Sequence, residues 1–315
     1  MKNKLIQLKQ EISKHIIGHH GLVDALLIGL LSNGHILIEG VPGLAKTTAV
    51  NTLAKAIGLD FKRVQFTPDL LPTDILGAEV YHPKTEEFVL KKGAIFTNLL
   101  LADEINRASA KVQSALLEVM QEKQVTIGDH SFKVDEPFLV LATQNPIDQE
   151  GTYALPEAQL DRFMMKVTVD YNTEAEEFEI AKKAASNSFA PIHQVISQDD
   201  LAQMQKEVEN VYIDDTLTAH IIQLIFATRT PGKYGLEGLE EVIAYGASPR
   251  ASIDMIKAVR ASAYLRGKTE VTPIDIALCA KNILRHRISL TYEAQVDDLN
   301  IDDIIDTLIQ NIQSA

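Results

Sequence analysis

The sequence contains a single cysteine, Cys279, so no disulfide can form within the chain and no cysteine-based zinc site can be built. A reducing compartment is the natural setting for such a chain. No run approaches the roughly 20 apolar residues that a membrane helix needs. The opening stretch, MKNKLIQLKQEISK, is interrupted throughout by charge and offers no apolar signal-peptide region. A soluble, cytoplasmic protein is the expectation. Positive charge is also in deficit, 30 Lys and Arg against 43 Asp and Glu, a formal net charge of −13. That balance argues against coating nucleic acid through bulk charge. There is no internal repeat and no low-complexity tract. Instead, 46% of the 315 residues are apolar, which excludes a mainly disordered chain. At roughly 100–200 residues per domain, the length suggests two domains.

The first half alternates short apolar runs with helical patterns. HILIE (35–39), FKRVQF (61–66), LLLAD (99–103), FLVLAT (138–143) and MMKVTV (164–169) read as strands. Val112, Leu116, Val119 and Met120 recur at helical spacing behind Ser109, a candidate N-cap. Such alternation implies a parallel sheet covered on both faces. QVTIGDHSFKV (124–134) differs, reading as a hairpin around Gly128-Asp129. From about Asn172 onward the patterns are helical. Ser248-Pro249 and Thr272-Pro273 each place an N-cap before a first-turn proline. The polar stretch 183–194, with Pro191, suits a connector. The expected layout is an α/β nucleotide-binding domain over 1–172, a connector over 173–194 and an all-α domain over 195–315.

GVPGLAKT (40–47) lies between the first strand and a helical run. A glycine-rich turn there lets successive backbone N–H groups wrap a phosphate at a helix N-terminus. Lys46 would reach the outer phosphates, and the Thr47 hydroxyl would hold Mg²⁺. Ala45 stands where a second glycine is expected, so the loop must accept an ordinary φ there. NLLLADE (98–104) is an apolar strand ending in two acids. Asp103 can hold Mg²⁺ through water, and Glu104 can polarise an attacking water. ATQNP (142–146) sets Asn145 at the next strand end, where it could orient that water or simply shape a turn before Pro146. LDRF (160–163) offers Arg162, whose ordinary fate would be a surface ion pair. Arg250 falls in the first turn of a helix, where a cation is mildly unfavourable and hints at a nearby anion.

In this order the motifs resemble AAA+ ATPases, a P-loop parallel-sheet sandwich followed by an all-α lid. The strings QFTPDLLPTDILG (65–77), LLLADEINRAS (99–109), ATQNPIDQEGTYALPEAQLDRF (142–163) and GASPRA (246–251) narrow the resemblance to the MoxR family, related to magnesium-chelatase ATPase subunits. It runs from about Ile17 to about Ser289. The resemblance implies an ATPase using ATP and Mg²⁺. Gly40, Pro42, Gly43, Leu44, Ala45, Lys46, Thr47 and Thr48 would form the phosphate loop, with Thr47 and Asp103 at the metal. It makes Glu104 the catalytic base, Asn145 sensor 1, Arg162 an arginine finger serving a neighbour's ATP, and Arg250 a lid-borne sensor 2. Ile17-Gly18 would line the adenine pocket, 124–134 would be the pre-sensor-1 hairpin, and 76–96 the insertion in helix 2. ATP is expected between the α/β domain and the lid, touching Arg250 of its own chain.

The family also implies a homo-oligomeric ring, six subunits being the usual number, chaperone-like work, and partners bearing von Willebrand factor A domains. No membrane insertion is expected. A DNA motor is disfavoured because GDHSFK (128–133) supplies a poor phosphate track. A motor subunit of a chelatase-like complex and a nucleotide-gated scaffold stay open as alternatives. His19-His20 is expected at a helix start near the nucleotide. RHR (285–287) reads as the positive end of a lid helix, and the acidic run 297–306 as a solvated helix face.

Overall fold

The computed structural model describes residues 1–41, 43–44, 46–145, 151–186 and 191–312. The first part runs α1 (Lys2–Ser13), α2 (His20–Ser32), β1 (Ile36–Glu39), α3 (Lys46–Ile57), β2 (Phe61–Gln65), α4 (Pro72–Leu76), β3 (Gly77–His82), β4 (Glu87–Lys92) and β5 (Leu99–Asp103). It continues through α5 (Ala110–Glu122), β6 (Gln124–Ile127), β7 (His130–Lys133), β8 (Leu139–Gln144), α6 (Glu157–Leu160) and β9 (Met165–Thr168). Five strands form a parallel sheet in the order β2-β5-β8-β1-β9.

Side chains alternate across this sheet, as a pleated strand requires. Ile36, Ile38, Leu99, Leu101, Leu139 and Leu141 enter one core. Leu37, Leu100, Val140 and Ala142 enter the other, with Val112, Leu116 and Met120 of α5. Both faces are buried, so the strands read as apolar runs. The expected hairpin forms as β6 and β7, with Gly128 at φ 57° in the turn. A second hairpin, β3 and β4, occupies the stretch expected to be the helix-2 insertion.

The rest comprises α7 (Glu174–Ala185), α8 (Gln198–Glu209), α9 (Asp215–Ala227), β10 (Ile243–Tyr245), α10 (Pro249–Leu265), α11 (Pro273–Leu284), β11 (Ser289–Leu290), α12 (Tyr292–Val296) and α13 (Ile301–Asn311). Helix α7 lies inside the stretch expected as a connector. The helical lid also carries a short antiparallel ribbon, β10 with β11. The α10 cap forms as expected, the Ser248 hydroxyl accepting from the Arg250 N–H at 3.2 Å. Among the described residues no helix is long and apolar enough to cross a membrane.

The lid docks on the sheet's β9 edge. Residues of α2, β9, α10 and α11 share one continuous core. The RHR run stands at the C-terminal end of α11, as expected, and is the polar part of that junction. Arg285 pairs with Asp302 at 2.8 Å and donates to the Lys166 carbonyl, while the Arg287 side chain is 1% exposed. The acidic run is correspondingly engaged, with Asp302 on Arg285 and Asp306 on Lys281.

Candidate active site

A parallel sheet gathers the C-terminal ends of its strands along one edge, and α3 opens at that edge after β1. A cleft of about 320 Å³ lies there, lined by Gly43, Leu44, Lys46, Thr47, Thr48, Asp103, Glu104 and Asn145 among others. Gly43 holds φ 91°, a conformation a side chain would strain. Pro42 and Ala45 lie outside the described residues. Gly40 sits where a Cβ would meet the Val169 carbonyl at 2.5 Å. Its own carbonyl accepts from Lys46 Nζ at 2.6 Å. Burial lowers the Lys46 pKa, opposed by the negative charges of Asp103, Glu104 and Glu39.

Three polar residues to which the sequence alone gives no role, Arg63, Gln65 and Thr143, also line the cleft. Arg63 and Gln65 are two apart on β2, so both point to the same face. Strand order places β2 beside β5, with Gln65 level with Asp103. Arg63 reaches Asp103 Oδ2, and Gln65 Nε2 donates to Glu104 Oε2 at 2.7 Å. Thr143 of β8 is the third. Its hydroxyl donates to Asp103 Oδ1 at 2.6 Å and accepts from the Glu104 N–H at 2.9 Å. Glu104 itself is held in the left-handed region, φ 56° and ψ 52°. Such strain in a non-glycine residue costs of order 1–3 kcal/mol and persists only where neighbours over-determine it. Here Thr143, Gln65 and Arg107 do so.

Ile17 and Gly18 stand apart from the phosphate loop. The Ile17 carbonyl accepts from Asn172 Nδ2 at 3.1 Å, and Gly18, at φ 69°, leaves no room for a Cβ beside Asn172 and Glu176. A second hollow of about 290 Å³ opens here, lined by His19, Thr168, Asp170, Asn172, Glu176 and Arg285 with others.

Arg162 and Arg250 fall in a third place. They share a pocket of about 210 Å³ with Asp161 and Asp254. Arg162 precedes β9, whereas the phosphate loop follows β1, and the two strands are parallel neighbours in register. The arginines therefore belong to the end of the sheet where β9 begins, and Lys46 to the end where β1 finishes, and they line different pockets. The sequence expectation sets Arg250 at the cleft of its own chain; instead the lid, docked on β9, carries it to Arg162. The physical cause is the junction itself, where Asp161 receives Arg287, Ser248 and Arg250.

Comparison with known proteins agrees with this fold. A family model for the "ATPase family associated with various cellular activities (AAA)" matches residues 35–165, and one for the "AAA lid domain" matches 239–308. Chaperone MoxR1 of Mycobacterium tuberculosis is 46% identical over 96% of this chain and 80% of its own length. Protein MoxR of Paracoccus denitrificans is 31% identical over 88% of this chain and 86% of its own. The crystal structure of a Cytophaga hutchinsonii protein described as an ATPase superposes with a TM-score of 0.95 at 48% identity, covering 100% of this chain and 96% of that one. With its phosphate-loop cleft, its parallel sheet and its docked helical lid, the chain belongs to the MoxR family of AAA+ ATPases.

Proposed function

We propose that this ATPase hydrolyses ATP in a homo-oligomeric ring, each site completed by Arg162 and Arg250 of the next subunit, and uses the cycle to remodel partner proteins. The observation that carries the reading is the placement of those arginines together, at the strand end opposite Lys46, Asp103 and Glu104. Phosphoryl transfer needs positioning and neutralisation of charge more than covalent chemistry. One chain supplies Lys46 at its own cleft and keeps two cations in a separate pocket.

Each side chain has a role in this reading. Lys46 leaves the Gly40 carbonyl for the outer phosphates. Glu104 holds the attacking water, and Asn145 fixes it. Thr47 and Asp103 bring oxygen donors to one cleft, the donor type Mg²⁺ selects. Mg²⁺, when bound there, supplies charge neutralisation at the phosphates. Ile17 and Gly18, beside the second hollow, take the base. An arginine supplied in trans is worth about 10³–10⁵ in rate in switch GTPases. A lone subunit should therefore be nearly inactive.

A six-membered ring and partners with von Willebrand factor A domains enter through the family likeness, as does the chaperone-like role. The test is ATP turnover per subunit against protein concentration, with Glu104→Gln and Arg162→Ala as controls. Turnover should rise with concentration and vanish in both variants. ATP bound with no turnover at any concentration would favour the nucleotide-gated scaffold instead. Turnover independent of concentration and indifferent to Arg162→Ala would overturn the shared site.

A further inference from the structure

We infer that Asp161 is a positioning residue that locks Arg162 and Arg250 into a single two-arginine unit. It gains this role only if the two arginines act across a subunit interface, as proposed above. One carboxylate ties three segments together. Oδ1 accepts from Arg287 Nε at 2.9 Å, Oδ1 and Oδ2 both accept from the Ser248 hydroxyl (2.9 and 2.8 Å), and Oδ2 accepts from Arg250 Nη1 at 3.4 Å. Ser248 caps α10, so holding Ser248 holds the helical turn that bears Arg250. Arg162 is the next residue after Asp161, and its Nη1 donates to the Leu117 carbonyl at 2.8 Å.

Arg287 makes the arrangement rigid. Its side chain is 1% exposed and also donates to the Phe163 carbonyl at 2.9 Å and to Asp254 Oδ2 at 2.6 Å. A buried guanidinium must be paired, so Arg287 holds both acids near it in place. The charge count is uneven. Arg162, Arg250 and Arg287 face Asp161 and Asp254, and Arg287 takes the short contacts to both acids. Arg250 keeps one long contact and is 47% exposed, and Arg162 spends its bond on a neutral carbonyl. The pocket therefore presents two guanidinium groups without a short contact to an acid, suited to a polyanion such as the terminal phosphates of a nucleoside triphosphate. Without the Asp161 carboxylate, the turn that bears Arg250 loses its direct tie to the residue beside Arg162, and only the Arg287 link through Asp254 is left.

The experiment is subunit mixing. Asp161→Asn should leave ATP-analogue fluorescence binding and ring assembly unchanged, because its own phosphate cleft is remote. Its kcat should fall about 10²-fold, the cost of a small misplacement of charge-stabilising groups, with KM little changed. Mixing it with Lys46→Ala subunits, which keep their arginines but lose the phosphate site, should restore turnover. Arg162→Ala mixed with Lys46→Ala is the reference. If the reference recovers and the Asp161→Asn mixture does not, Asp161 acts structurally within its own chain and the inference fails. Wild-type kcat in Asp161→Asn overturns it as well. If the reference itself fails to recover, the arginines do not act across the interface, and the shared-site reading falls first. Should Asp161→Asn not fold, Ser248→Gly decides, since glycine keeps most of the cap and removes the hydroxyl. A smaller kcat loss rescued by Lys46→Ala is expected, and an unchanged kcat overturns the inference.

Discussion

Arg63 donates to one carboxylate oxygen of Asp103 through both Nε, at 3.0 Å, and Nη2, at 2.5 Å. The acid that would serve Mg²⁺ thus already carries a guanidinium. Under the proposed function, Mg²⁺ at Asp103 would compete with Arg63 for that one charge.

Arg63→Ala should therefore lower the Mg²⁺ concentration that half-saturates ATPase activity. The Arg63 side chain is 49% exposed, so solvent screens the pair. Exposed ion pairs contribute up to about 1 kcal/mol, which limits the shift to about fivefold. Arg63→Lys should fall between, because an ammonium keeps the charge and loses the fork. A Mg²⁺ titration at fixed ATP reads this directly, and a raised requirement in Arg63→Ala would reject competition.

Glu104→Gln should bind ATP normally and lose turnover. The amide that replaces the carboxylate can still accept a hydrogen bond from Gln65, but it is neutral and cannot take a proton from water. Loss of a general base costs about 10²–10⁴ in rate. Single-turnover hydrolysis beside equilibrium binding separates the two effects; weakened binding with retained turnover would remove Glu104 from the chemistry.

Thr143→Val tests the bridge between the two acids. Valine keeps the shape of this 1% exposed residue and deletes a donor and an acceptor together. The Glu104 N–H and Asp103 Oδ1 then lose the partners that hold them. Leaving buried polar groups unmatched costs about 1–3 kcal/mol. Urea denaturation should show that loss, kcat should fall as Glu104 leaves its strained conformation, and Thr143→Ser should recover both. Equal stability in Thr143→Val would mean that water replaces the hydroxyl.

Local signals were legible in the sequence and long-range ones were not. The acid-ended strand, the Gly128-Asp129 hairpin and the Ser248 cap each depend on neighbours in the chain, and each forms. Arg63 and Gln65 carry no site role in the sequence, although Gln65 opens the string 65–77, because their meaning comes from β2 lying beside β5. The β3–β4 hairpin stands off the core, with Val80, Tyr81, Phe88 and Val89 all exposed, so its pattern lacks a buried alternate face. The β10–β11 ribbon is two or three residues long on each side, too short to set a period. The grouping of Arg250 with Arg162 depends on where the lid docks. That depends on Arg287, which as a sequence reads like any basic helix end.

Acid stability should depend in part on His35. The ring is buried against Phe138, with centroids 5.9 Å apart. The Val140 N–H donates to Nδ1 at 2.9 Å, so that nitrogen carries no proton, and Nε2 must donate to the Met120 carbonyl at 3.0 Å. The imidazole is thus neutral and both nitrogens are matched. Burial, opposed by the Met120 carbonyl and aided by Lys123, brings its pKa from the usual 6.5 to about 4. Burial beside Arg287 lowers His286 as well. The sign follows from proton counting. Below about pH 6.5 the unfolded chain binds a proton at position 35 that the folded chain refuses, so unfolding gains free energy as pH falls. The His35 contribution should be full above about pH 6.5 and decline toward about pH 4, by up to about 1.4 kcal/mol per pH unit. His35→Asn can keep an acceptor for Val140 but has no proton to gain. It should be less stable at pH 7.5, through the lost ring and the lost Met120 link, and should show a shallower decline between those limits. Urea midpoints measured across the window decide the matter: parallel curves for the two proteins would remove His35 from the acid response.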